Sequence, residues 1–172
     1  MTDPDAIRAK SAARAQRRAQ RILDNEALGA KTVKRGKKVP KAKRTKRLKK
    51  AGHVLWSLVV RNRDGNKCLM CGSVQNLNAH HWLFRKSHSV RLALDPANGA
   101  TLCAYPCHLG RIHSDGDGDF MLRLADKMTA IVGSLKVEEM RETARHSGPV
   151  SEEFLQERND DLKKLLEAQC QI

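Results

Sequence analysis

The chain has 172 residues with a net charge of +14 and 40% hydrophobic residues, so one compact domain with extensions is expected. No apolar run approaches the roughly 18 residues of a membrane span, and the start MTDPDAIRAK lacks the apolar stretch of a secretory signal; this reading excludes a membrane protein and expects a cytoplasmic one. Residues 1–50 hold 18 Lys and Arg against 4 Asp and Glu, whereas residues 51–172 hold 15 against 15, so the whole excess charge sits in the first 50.

Such a block repels itself and attracts polyanions. It reads as a nucleic-acid arm, because basic arms gain affinity by releasing counterions from phosphate backbones. An acidic membrane surface fits less well, since no aromatics are interleaved. Residues 6–28 are rich in Ala, Arg and Gln, good helix formers with too few large apolar residues to bury a face. Residues 29–50 read as a low-complexity basic linker, and order is expected from about Gly52. Residues 53–63 read as a short helix with Val54, Leu55, Leu58 and Val59 on one face, ended by Asp64-Gly65. Residues 67–103 read as two short β segments, 77–82 among them, and residues 106–113 as the start of a helix.

The remainder reads as three helices. Residues 120–132 carry apolar side chains at 120, 124, 128, 131 and 132, and Gly133 can end the run. Residues 136–145 follow, stopped by Gly148-Pro149. Ser151 is a good N-cap for the third, with Glu152 and Glu153 at its positive end and Val150 placed to staple against Leu155. It runs to about Gln169 with Leu155, Leu162, Leu165 and Leu166 inward. Such stripes mostly serve a core. SDGDGDF invites a calcium-loop reading, but the sixth position needs glycine and holds Phe120. Asp119 is read instead as the cap of the next helix.

The segment from Cys68 to His113 concentrates metal-ligand residues. In a reducing compartment paired cysteines point to a metal. Cys68-x2-Cys71 and Cys103-x3-Cys107 together fill one tetrahedral zinc site, with Zn–S distances of about 2.3 Å. Gly72 permits the positive φ such a knuckle needs. Cys170 has no partner motif and is read as incidental. Four histidines are then surplus: His80, His81, His108 and His113. If His80 and His81 lie on a strand, they point to opposite faces. One can face a metal and the other a substrate. That division suits phosphodiester hydrolysis, in which a divalent metal stabilises the charge on phosphate and a neutral imidazole takes a proton from water.

The pattern Leu77-x2-His80-His81, Asn98-x3-Leu102-Cys103, Cys107-His108, His113 resembles the HNH nucleases with their ββα-metal site, in their zinc-bearing branch. More locally, LWSLVVRNRDGNKCLMCG and HHWLFRKSHSVRLALDPAN resemble the phage Rap-type recombination endonucleases, over about residues 53–168. The resemblance implies an α+β fold: a small ββα-metal core with a zinc knuckle at residues 51–119, C-terminal helices at 120–172, and a basic extension at 1–50. It implies that His80 and His108, with His113, ligate the catalytic Mg²⁺, Mn²⁺ or other divalent metal. His81 would be the general base, and Asn98 would brace the strands and orient it. The zinc at Cys68, Cys71, Cys103 and Cys107 would be structural. The expected substrate is DNA in a bacterial or phage-infected cell, and a homodimer is one open assembly. Two departures stand out. The second cysteine pair has one residue more than usual. His108 and His113 are five apart instead of four, about 140° around an ideal α-helix.

Arg85, Lys86 and Arg91 lie between His81 and Asn98 and are candidates for contacting the flanking phosphates. Trp82 and Phe84 are read as core. A non-catalytic zinc-bearing DNA-binding protein explains the cysteines and the tail, but not the histidines or Asn98. An RNA-associated basic protein remains open on the tail alone.

Overall fold

The computed structural model describes Ala13, Arg17 and residues 40–85, 87–146 and 148–170. The arm expected at 6–28 (apart from Ala13 and Arg17), the linker residues before Pro40, Lys86 and the side chain of Cys170 lie outside the described residues. The fold is α+β, helix-rich with a two-stranded antiparallel sheet. Among the described residues no helix is long and apolar enough to cross a membrane.

Helix α1 spans Lys41–Arg63. It starts well before Gly52, where a linker was expected to give way to order. Lys, Arg and Ala are good helix formers, but propensity alone rarely holds such a segment in water. The added turns are held by α5, Glu152–Cys170. Thr45 Oγ1 donates to Glu152 Oε1 at 2.9 Å, and Arg44 pairs with the same carboxylate at 3.1 Å. Further along, Asn159 Nδ2 donates to the Leu48 carbonyl and Gln169 Nε2 to that of Val59. The two helices therefore run parallel, and the acidic start of α5 faces the basic start of α1.

Beyond α1 come β1 (Leu77–His81), the single turn α2 (Val90–Ala93), a 3-10 turn at Pro96–Asn98, and β2 (Gly99–Cys103). The strands pair with His80 opposite Ala100 and His81 opposite Gly99. Next is a π-helical segment, Ala104–Ser114, then α3 (Gly118–Val132) and α4 (Ser134–Arg145). The cap of α3 is Asp117, whose side chain accepts from Phe120 N at 2.9 Å, and not Asp119. An N-cap carboxylate serves the N–H three residues on, so the start moves to Gly118 and leaves Asp119 in the first turn. Ser151 caps α5 as expected, accepting from Phe154 N at 3.1 Å. Leu165 is 46% exposed, unlike Leu155, Leu162 and Leu166, and Ile131 is also exposed; both sit at the edges of their helical stripes.

Two apolar cores result. One gathers Trp82, Leu92, Leu102, Phe120, Leu124 and Met128 around the cysteines. The other gathers Leu55, Leu58, Val59, Leu94, Leu155 and Leu162 between α1 and α5. Trp82 is thus core, as expected, and Phe84 packs against the first cluster. The end of α1 is tied to β2 by polar bonds. Arg63 donates to the carbonyls of Pro96 and Gly99 and to Asp64 Oδ1, while Asp64 Oδ2 accepts from Thr101 N at 2.8 Å. Asp64 is buried, so a charge-assisted bond on each oxygen offsets its desolvation.

Candidate metal centres and the groove beside them

The thiols of Cys68, Cys71, Cys103 and Cys107 lie within 4.8 Å of one another. Cys71 Sγ is 3.6 Å from Cys103 Sγ. Two sulfurs about 2.3 Å from a tetrahedral zinc would be about 3.8 Å apart, so the set fits that ion. The knuckle forms as the sequence suggests. Gly72 has φ +75°, Gly72 N donates to the Cys68 carbonyl, and Cys68 N to that of Ser73. Burial works against a Cys68 thiolate, but the N–H groups of Cys71, Cys103 and Met70 outweigh it and hold that thiol below its ordinary value. Burial pushes Cys103 and Cys107 up. Those two need an adjacent positive charge to ionise, which a bound cation supplies. The extra residue in Cys103-x3-Cys107 is absorbed where Tyr105 is extended (φ −141°, ψ 138°) and its ring is turned out to solvent.

A second set converges on the other side of the π-helical segment. His80, His108 and His113 also offer ligand nitrogens within 4.8 Å of one another. His108 Nε2 is 3.2 Å from His113 Nε2. A shared hydrogen accounts for that distance. So does a divalent ion: ligands about 2.1 Å from it and 90–110° apart are about 3.0–3.4 Å from each other. The five-residue spacing is resolved by the backbone. In a π turn the bond runs from i to i+5, as Asp115 N to the Gly110 carbonyl does here at 2.9 Å. Residues five apart then fall near one face, where an α-helix would splay them. Burial lowers the pKa of His80 to about 4, with His108, His113 and His81 adding to it. Burial, then His113, lowers that of His108. Both are therefore neutral near pH 7, the form that binds a metal. Asn78 Nδ2 lies 3.4 Å from His108 Nδ1; with its amide flipped, Asn78 accepts from Nδ1–H and leaves the Nε2 lone pair for a metal.

His81 points to the opposite face of β1 from His80, as strand alternation requires. Its ring lies flat on Trp56, with centroids 4.1 Å apart and planes 7° off parallel. Gly99, its cross-strand partner, makes that approach possible. A Cβ there would come within 2.3 Å of Val60 and 2.9 Å of Trp56. His81 Nε2 is 3.1 Å from the Ala93 carbonyl. A carbonyl only accepts, so Nε2 carries the hydrogen and Nδ1 the lone pair. His80, His81, His108 and His113 all line one cavity of 540 Å³.

Asn98 is fully buried. Its oxygen accepts from Leu83 N and Phe84 N, and its amide donates to the carbonyls of Phe84 and Leu92. It clamps the loop leaving β1 to α2, and so places the Ala93 carbonyl that holds His81. This is a bracing role acting on His81 through backbone. Asn98→Ala is expected to cost about 3 kcal/mol, because four backbone groups lose their partner; denaturant unfolding will measure it, and a cost below about 1 kcal/mol would contradict the clamp.

Among the predicted phosphate contacts, Arg85 is exposed and lines the histidine cavity. Arg91 instead lies over the Phe154 ring, 4.4 Å from its centroid. Sequence reasoning missed a groove of 900 Å³ along α1. Lys46, Lys50, His53, Ser57 and Arg61 line it at steps of i, i+4, i+7, i+11 and i+15. That is one face of a helix, a signal hidden by reading residues 29–50 as linker. Arg85 lines this groove as well. Comparison with protein-family models, curated proteins and solved structures finds no match.

Proposed function

We propose that this protein is a metal-dependent DNA endonuclease of the HNH type. The observation that carries the reading is the convergence of His80, His108 and His113 on one point, with His81 on the adjacent strand position and in the same cavity. A divalent ion held by the three imidazoles would stabilise the leaving oxygen and the charge on phosphate. His81 Nδ1 takes the proton from the attacking water, while the Ala93 carbonyl keeps Nε2–H fixed and favours the imidazolium that forms. Trp56 holds the ring plane, and Asn98 braces the loop behind it. Arg85 lines the cavity and would meet a phosphate beside it. The four cysteines hold a structural zinc that fixes the start of the π-helical segment, because Cys107 and His108 are consecutive.

The test is conversion of supercoiled plasmid to nicked or linear DNA with Mg²⁺ or Mn²⁺. His108→Ala should lower the rate by at least about 100-fold at fixed metal, as expected when a ligand is lost. Wild-type rates in that variant would remove the histidine cluster from the mechanism. A second reading, a zinc-bearing DNA-binding protein without catalysis, draws support from the basic groove on α1. Binding without cleavage under any divalent metal would favour it.

A further inference from the structure

The groove along α1 is distinct from the histidine cavity. Among the described residues that line it, the cations are Lys46, Lys49, Lys50, Arg61 and Arg85, and none is a carboxylate. Clustered positive charge in a concave site attracts an anion more strongly than the same charge on a flat surface. Its inner wall is apolar, formed by Val54, Val90 and Leu94. A free phosphate or an acidic side chain would leave that wall wet. A duplex keeps its bases stacked inside and presents a charged convex surface, so it reaches the lysines but not the wall. A strand with unstacked bases satisfies both, with phosphates on the cationic rim and base faces on the apolar one. At 900 Å³ the groove has room for roughly one or two nucleotides, by the size range of small-ligand pockets. Arg85 lines both the groove and the histidine cavity, so the two adjoin at its side chain.

We propose that this groove binds an unpaired strand of nucleic acid and leads it past Arg85 toward His81. The inference rests on the nucleic-acid part of the function proposed above and not on hydrolysis. The experiment uses the full chain without added divalent metal, at fixed salt. Fluorescence anisotropy measures binding of labelled 12-residue oligodeoxythymidine, oligouridine and a 12-base-pair duplex. Lys46→Glu/Lys50→Glu should weaken the single strands by about tenfold or more and the duplex by less than about threefold. Lys46→Gln/Lys50→Gln should lower the single-strand salt slope by about 1.4, two phosphate contacts at about 0.7 each. The tighter of the two oligonucleotides identifies the strand as DNA or RNA. Equal losses on single strand and duplex, or no loss with a normal melting curve, would overturn the assignment. Because binding is read without cleavage, a protein that holds the strand but never cuts it defeats the nuclease reading alone.

Discussion

His81→Ala is expected to reduce metal-dependent cleavage by about 10²- to 10⁴-fold, the usual contribution of a positioned general base, with DNA affinity and metal content retained. The His81 ring is held on one face by Trp56 and at Nε2 by the Ala93 carbonyl, which leaves the lone pair on Nδ1. Its neighbour His80 faces His108 and His113. Truncation also removes a stacked ring, so a thermal melt belongs beside the assay to separate lost chemistry from lost packing. Partial rescue by added imidazole would mark the defect as a missing base. Cleavage by His81→Ala at the wild-type rate would remove the base assignment. Unchanged cleavage by His80→Ala would do the same for the division of labour along β1.

Cys107→Ser should lose one zinc equivalent relative to wild type, and with it the folded state of the core around the knuckle. Binding free energies for structural zinc in small peptides are about 10–16 kcal/mol, against about 5–15 kcal/mol for a whole domain. Cys68, Cys103 and Cys107 are buried, and burial disfavours ionisation of the latter two. Without a cation the cluster is three buried thiols and the exposed Cys71, with little to hold them together. Metal analysis and near-ultraviolet circular dichroism will report the outcome. A variant short of one zinc that still melts at the wild-type temperature would show that the cysteines do not hold the fold.

The two clusters that could hold a metal were legible because metal chemistry restricts both residue type and spacing. Two cysteine pairs and four surplus histidines survive any uncertainty about helix boundaries. The cap at Ser151 was legible for a similar reason, being a local hydrogen bond written into adjacent residues. What failed depended on distant partners. Residues 41–50 read as linker because their helix is secured by Glu152 and Asn159, about 110 positions away. The face carrying Lys46 and Lys50 was lost with it. The spacing of His108 and His113 looked wrong because an α-helix was assumed, and nothing in AYPCHLGRIHS announces i to i+5 hydrogen bonding. Asn98 was expected to brace the two strands and help orient His81. Its bonds go to the loop and to α2, contacts that no periodicity encodes.

The sheet lies at the seam of the two apolar clusters. On one side, His80 meets the π-helical segment, whose Cys107 belongs to the first cluster; on the other, His81 rests on Trp56 of the second. A single peptide link joins two side chains whose surroundings are set by separately packed bodies. Rotating one body against the other by a few degrees would leave every covalent element intact and still change the distance from Nδ1 to the histidine cluster. For the nuclease proposed above, alignment of proton acceptor with metal would then depend on how the halves are seated together, and wear in that joint would idle the chemistry well before either half comes apart.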